Sequence, residues 1–225
     1  MSRGLGTAQE DLSGLPVEAI ESGFQYRIHF PNGDVDLYLD AEDGKFSLST
    51  ASAELLESFF TAWSGDRERA RALAAAVQDW RDADDLETPG GGEAATYTSR
   101  GYAPRNRAFG VADVGLLNGL SPEDFRDHLV TDSGQWRRRE ALTQFMTNAP
   151  IGTTVNPNYA SELVLRSVPG LEGAVERIVA ERAKKLFIDL NDFSSRSGVA
   201  QNSGAPGYLH FDRRVPAVLT VASVG

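Results

Sequence analysis

The feature that most constrains the fold is the spacing of apolar residues along the chain. They recur every second residue near both ends and at helical spacing in between. From Phe24 to Phe30 apolar and polar residues alternate, which is typical of a half-buried strand. The alternation resumes after the turn signal Pro31-Asn32-Gly33-Asp34, so residues 24–49 predict a small antiparallel meander. Residues 208–211 and 215–224 are strand-like again, and the simplest arrangement pairs these last strands with the meander.

Between the two strand regions the apolar residues recur at helical spacing. One helix is predicted around residues 53–60, a second over about 66–80 and another over about 171–186. Residues 46–56 and 154–164 are weakly similar, since each has an extended entry, a capping cluster and the start of an apolar helix. The sequence therefore predicts an α+β fold with a helical insertion built from two divergent copies of one unit.

Composition removes several functional classes. The 225 residues carry 22 basic and 32 acidic side chains, a net charge of −10, which disfavours binding to phosphate backbones. The absence of cysteine excludes disulfides, zinc–thiolate sites, iron–sulfur clusters and thiol catalysis. No His-Glu-x-x-His, nucleophile elbow or phosphate-binding loop occurs, so no enzymatic activity is expected.

The richest cluster of functional groups lies in residues 79–93, where six carboxylates stand against one arginine. Hard cations such as calcium take six to eight oxygen ligands, and carboxylates on a flexible loop supply them. The glycines at 90–92 would let the backbone fold back on itself. The spacing is not that of an EF-hand, because Glu87 stands where that loop requires glycine. The alternative interpretation is a solvated acidic loop that leads into the next helix.

Two turns have the pattern of a helix-hairpin-helix motif. Val168-Pro169-Gly170-Leu171-Glu172 is the better match, and Leu117-Asn118-Gly119-Leu120-Ser121 is a fainter copy. DNA-binding versions hold a phosphate on backbone N–H groups, whereas Glu172 would place a carboxylate there. The basic run Arg137-Arg138-Arg139 is the best argument for DNA binding, so a competence-type DNA-binding module stays open as the alternative function.

Taken together, these segments resemble the general secretion pathway protein K family, the minor pseudopilins of the bacterial type II secretion system. The resemblance covers about residues 24–220, and its elements follow the family's order. It rests on residues 43–48, 79–84, 89–93 with Tyr97, 102–109, 155–161 and 168–171, and on Arg182, Phe187, Asp192 and Phe193.

The resemblance implies a pseudopilin-like antiparallel β core formed by residues 1–48 and 200–225. It implies a first SAM-like helical module with the acidic loop at 49–150 and a second helical module at 151–199. The family binds calcium in its helical insert, and the resemblance assigns that role here to Asp79, Asp82, Asp84, Asp85 and Glu93.

For function, the resemblance implies a non-enzymatic subunit at the tip of the secretion pseudopilus. Its partners would be other minor pseudopilins, with secreted substrate proteins as further candidates and no nucleic acid. Family members begin with an apolar helix behind a prepilin cleavage site, and no such segment stands at the start of these residues. We therefore expect a soluble periplasmic region that is anchored in the inner membrane through a preceding helix. A soluble scaffold that is never exported is the remaining alternative.

Overall fold

The computed structural model describes residues 17–21, 25–30, 33–101, 111–126, 128–132, 135–147, 153–212 and 218–224. The chain divides into two compact units, one formed by Met1–Glu42 with Pro216–Gly225 and the other by Asp43–Val215. Among the described residues, no helix combines the length and the apolar composition needed to cross a membrane.

The first unit is a four-stranded antiparallel sheet. Its strands are β1 (Val17–Glu21), β2 (Gln25–Phe30), β3 (Gly33–Asp40) and β8 (Val218–Val224), in the order β1-β2-β3-β8. β8 pairs antiparallel with β3 along its whole length, which is the predicted pairing of the terminal strand with the meander. The sequence pattern did not indicate β1, and residues 31–32 of the predicted hairpin turn lie outside the described residues.

The second unit holds the helices. Its helices are α1 (Ala53–Ser64), α2 (Arg67–Arg81), α3 (Ala94–Thr98), α4 (Glu162–Ser167), α5 (Val175–Lys184) and α6 (Leu190–Ser197). Its strands are β4 (Phe46–Ser47), β5 (His128–Asp132), β6 (Gln135–Arg139) and β7 (Met146–Thr147). Short 3₁₀ segments lie at Glu42–Gly44, Val111–Leu116, Pro122–Phe125, Leu142–Phe145 and Ala205–Tyr208.

The long helices form because their ends are capped and one face of each is apolar. The Ser52 side chain accepts the N–H of Leu55 at 3.2 Å, and Gly65 ends α1 in the left-handed region at φ 74°. Asp66 then caps α2. The faces that meet in the core come from both helices and include Leu55, Leu56, Phe59, Phe60, Leu73, Val77 and Trp80.

The strands differ from the sequence prediction in two places. The meander does not extend to residue 49, since β4 belongs to the second unit and pairs in parallel with β7. The cause is burial: Phe46 packs edge-on against Phe59 at 4.9 Å, so the chain has already entered the helical core. β5 and β6 form an antiparallel pair that carries Arg137–Arg139, and the sequence pattern indicated no strand at either place.

The unit boundaries also differ from those predicted. The sheet unit ends at residue 42 instead of 48, and residues 200–215 belong to the helical unit instead of the sheet. Leu209 accounts for the second difference, because it is buried in the helical core and forms a parallel bridge with Val155. One continuous cluster of buried residues runs through the helical unit, so its division between residues 150 and 151 stays a prediction.

Candidate metal centre

Three of the predicted acidic residues meet where the long acidic loop leaves one helix and starts the next. Asp79 is in the last turn of α2, Asp82 is the residue that ends this helix, and Glu93 is the residue before α3. Each offers one carboxylate oxygen, and these three oxygens all lie within 4.8 Å of one another. Asp79 and Glu93 are buried, and Asp82 is the most exposed of the three.

Asp79 organises the loop around this cluster. Its Oδ2 atom accepts the backbone N–H of Thr88 at 3.1 Å and that of Gly92 at 2.9 Å, which folds residues 88–92 back onto α2. Gly91 is required at the closest approach, because a Cβ atom there would stand 2.1 Å from Asp79 Oδ2. Gly90 allows the turn itself, with φ at +87°. The glycine run therefore serves a close backbone approach to a buried carboxylate.

The negative charge of the cluster is only partly offset, since burial and the carboxylate of Asp84 raise the pKa of Asp82 by more than the guanidinium of Arg81 lowers it. Asp79 Oδ1 and Glu93 Oε1 are buried without a hydrogen-bond partner. Burial, followed by the carboxylates of Asp79 and Asp82, raises the pKa of Glu93. Within the described part of the chain no lysine or arginine forms an ion pair with the three acids, and Arg81 instead donates to Leu48 O and Ala51 O.

These features fit a hard cation. Calcium–oxygen distances are about 2.3–2.6 Å, so two ligands of one ion lie at most about 5 Å apart, and the three oxygens lie within 4.8 Å of one another. Two orphaned buried oxygens would each gain a ligand bond, and the like-charge repulsion would be offset. Three carboxylates supply only part of a calcium shell, and backbone oxygens or water would complete it.

The structure does not bring the other predicted ligands into the cluster. Asp84 and Asp85 are exposed, and Asp84 Oδ1 accepts the backbone N–H of Leu86 at 2.9 Å, as in a local turn. Both still act at a distance, because their charges contribute to the raised pKa of Glu93. Glu87, which was not among the assigned ligands, accepts a hydrogen bond from the Thr96 hydroxyl.

Two residues, Asn118 and Tyr97, support the acidic loop in a role that was not predicted from the sequence. Asn118 donates from Nδ2 to Gly91 O at 2.7 Å, and its own N–H donates to Tyr97 Oη at 3.2 Å. Tyr97 packs edge-on against Trp80 at 5.0 Å, next to Asp79 in α2. The loop that holds the acids is thus tied to the turn at 117–121, and no local pattern around Asn118 signals that long-range contact.

Both hairpin turns have the expected backbone, with Gly119 at φ +85° and Gly170 at φ +86°. In each, a carboxylate of the chain itself occupies the N–H groups that would face a phosphate. Asp124 Oδ2 accepts the N–H of Ser121 at 2.8 Å, and Glu172 Oε2 accepts the N–H of Gly170 at 3.1 Å. Asp124 is also paired with Arg69 at 2.7 Å. In both turns a carboxylate of the chain therefore stands where a phosphate would bind.

Comparison with known proteins gives two matches. The family model described as type II secretion system (T2SS), protein K, matches residues 37–129. The fold is similar to a chain in the crystal structure of the GspK-GspI-GspJ complex from the type 2 secretion system of enterotoxigenic Escherichia coli. That match has a TM-score of 0.58 at 15% identity and covers 89% of this chain and 70% of that chain. No curated protein matches the sequence significantly.

Proposed function

We propose that the chain is a minor pseudopilin of the protein K family of type II secretion, whose family model matches residues 37–129, and that it caps the tip of a secretion pseudopilus. The observation that carries this proposal is the combination of two matches. The family model covers the junction from β3 through the acidic loop to β5, and the fold match extends over 89% of the chain.

The proposed work is assembly, and it needs no catalytic group. The subunit would dock onto other minor pseudopilins, as the E. coli protein does with GspI and GspJ, and so prime pseudopilus formation and export. It would work in the periplasm, anchored in the inner membrane by a helix outside these residues. Secreted substrate proteins are the further proposed partners.

We also propose that calcium binds the cluster of Asp79, Asp82 and Glu93. The support is the pair of buried oxygens without partners, together with three carboxylate oxygens, one from each residue, that lie within 4.8 Å of one another. The ion would hold the acidic loop against α2 and keep the end of that helix, the loop and α3 in one arrangement. Its role would be structural, because it would fix the position of the loop against α2.

The assembly proposal is tested with this chain and the two secretion subunits that correspond to GspI and GspJ. We expect the three purified proteins to co-elute as one complex whose mass, measured by light scattering, equals the sum of one copy of each. A chain that stays separate from both subunits at tens of micromolar contradicts the proposal.

Calcium binding is tested separately by thermal unfolding in millimolar calcium and in excess chelator. A ligand that binds only the folded state stabilises it by about 2.7 kcal/mol at a hundredfold excess over Kd. We expect a higher melting temperature with calcium than with magnesium at equal concentration, since magnesium sheds its water shell reluctantly. Equal melting temperatures in calcium and chelator rule out the calcium site and leave the assembly proposal standing.

The alternative, a DNA-binding helix-hairpin-helix module, is not favoured. Asp124 and Glu172 already occupy the N–H groups of the two turns, and the net charge of −10 opposes a phosphate backbone. A gel-shift assay at low salt decides it, because binding to phosphates would be visible there and would fall steeply with added salt.

A further inference from the structure

The loop between α5 and α6 presents two large apolar side chains to solvent. Leu186 is 44% exposed and Ile188 is 66% exposed, on either side of Phe187, which is buried. In the described part of the chain only one other large apolar side chain, Leu86, is similarly exposed. We refer to Leu186 and Ile188 as the apolar knob. Two such side chains within three residues bring exposed apolar surface together in one place, and contiguous apolar surface is what interaction sites share.

The loop that carries the apolar knob is held in place by contacts with the rest of the helical unit. The Asn158 side chain pairs with the backbone of Phe187 in both directions, accepting its N–H at 2.7 Å and donating to its carbonyl at 2.9 Å. Phe187 itself packs edge-on against Phe193 at 5.0 Å. The N–H of Ile188 donates to Asp192 Oδ2 at 3.2 Å. Three hydrogen bonds and one ring contact therefore hold the backbone at Phe187 and Ile188.

Arg196 completes this support. Its guanidinium lies over the Phe187 ring, 4.5 Å from the centroid, and donates to the carbonyl of Lys185 at 2.6 Å. The same group forms ion pairs with Glu181 and Asp192. A loop that is already ordered loses little conformational entropy when its exposed side chains enter a partner's pocket. The two exposed side chains therefore stand on a loop that is already ordered for binding.

Charge indicates the kind of partner. Lys184 and Lys185 are exposed beside Leu186, while the nearest exposed acid, Asp189, caps the first turn of α6 with its carboxylate. Lys184 is paired with Glu181 at 2.6 Å, which leaves Lys185 as the exposed positive charge beside the knob in a chain of net charge −10. A symmetric dimer through the knob would place lysines against lysines, because a two-fold interface brings the same patch together from both copies.

We propose that the apolar knob docks into an apolar pocket with an acidic rim on another minor pseudopilin of the same complex. This inference rests on the proposed function, and it names the surface and the complementary chemistry that the assembly would use. Apolar anchors at the centre carry most of the binding energy of such interfaces, and the surrounding charges contribute selectivity and association rate.

The test uses the full chain with the two purified subunits that correspond to GspI and GspJ, with affinity measured by titration calorimetry. The double substitution Leu186→Ser and Ile188→Ser should weaken association at least tenfold. Leu86→Ser is the matched control, since it removes an exposed leucine elsewhere, and it should stay within twofold of the wild type. Unchanged circular dichroism and melting temperature confirm that both variants fold.

Charge and support are tested in the same assay. Lys184→Glu with Lys185→Glu should weaken association at low salt more than at 0.5 M salt, whereas Arg67→Glu with Arg71→Glu, an equal charge change elsewhere, should not. Asn158→Ala removes the support but keeps the knob, and it should weaken association by a smaller factor than the double serine variant.

Each result separates the possibilities. If the wild type assembles and the double serine variant binds equally well, the knob proposal is overturned while the proposed function stands. If the wild type does not assemble with either subunit, both fall. Sedimentation of the wild type with phosphatidylglycerol vesicles, or self-association that the double serine variant abolishes, would show a different occupant and overturn the proposal.

Discussion

Arg81 and Arg182 make the same contact at two places in the helical unit. Arg81 donates from Nη1 to Leu48 O at 3.0 Å and Ala51 O at 2.8 Å, while Arg182 donates from Nη1 to the carbonyls of residues 157 and 160. The accepting carbonyls stand four residues and one residue before the serine that caps the following helix, Ser52 or Ser161. Each arginine thus binds the loop that leads into a serine-capped helix.

We predict that Arg81→Met and Arg182→Met destabilise the protein by similar amounts, about 1–3 kcal/mol each. Burial lowers the pKa of both arginines, so both sit in desolvated surroundings, and their loss leaves two carbonyls without a donor. Chemical denaturation measures the change in the free energy of unfolding. The control is Arg71→Met, which breaks only an exposed ion pair with Glu57 and should cost less than about 1 kcal/mol.

The segments that the two arginines contact were only in part predictable from the sequence. The weak similarity of residues 46–56 and 154–164 corresponds to a shared arrangement: Phe46 and Val155 each form a parallel pairing, with Met146 and Leu209. The partners could not be predicted, because two-residue strands carry no periodicity. The same limit explains why β4 was assigned to the meander: its alternation matched, and only contact with Phe59 distinguishes the two sheets.

For the candidate site, the sequence predicted the region but not the geometry. A count of carboxylates cannot separate Asp84, which turns back to its own loop, from Glu93, which is buried beside Asp79. That distinction depends on where the loop closes, and closure is fixed by backbone N–H groups reaching Asp79 Oδ2 and by Asn118 from a distant turn. Neither contact has a local signature.

Calcium should decide how substitutions in the acidic cluster affect the melting temperature, and for Glu93→Gln it should reverse the direction of the change. In calcium, Asp82→Asn and Glu93→Gln should lower the melting temperature more than Glu87→Gln, because Glu87 lies outside the cluster. In chelator, Glu93→Gln should raise it, since neighbouring carboxylates and burial already raise the pKa of Glu93 and so oppose its charge. Melting curves of the three variants under both conditions test this. Equal behaviour of all three in calcium would contradict it.

Gly91→Ala should disrupt the loop, because the added methyl would stand 2.1 Å from Asp79 Oδ2 and 3.0 Å from Thr88 O. We expect a loss of about 1–3 kcal/mol in the free energy of unfolding, as for other overpacked sites, together with a smaller calcium-induced shift. Gly115→Ala is the control, since nothing lies within 4 Å of the position that its added methyl would take. A Gly91→Ala protein as stable as Gly115→Ala, with a full calcium shift, would show that the close approach is not needed.

The last prediction concerns acid stability at the end of α5. A hydrogen bond from Lys184, and a second from Arg196, lower the pKa of Glu181 below its ordinary value of 4.5. A carboxyl whose pKa is lower in the folded state contributes stability above its unfolded pKa and loses that contribution as pH falls through the folded value. The difference in unfolding free energy between wild type and Glu181→Gln should therefore be constant near neutral pH, shrink below about pH 4.5 and vanish in stronger acid. Denaturation titrations from pH 7 to pH 3 measure it, with Glu123→Gln as a control that removes the same charge from an exposed side chain. A difference that grows as the pH falls would contradict the assignment of Lys184 and Arg196 as its cause.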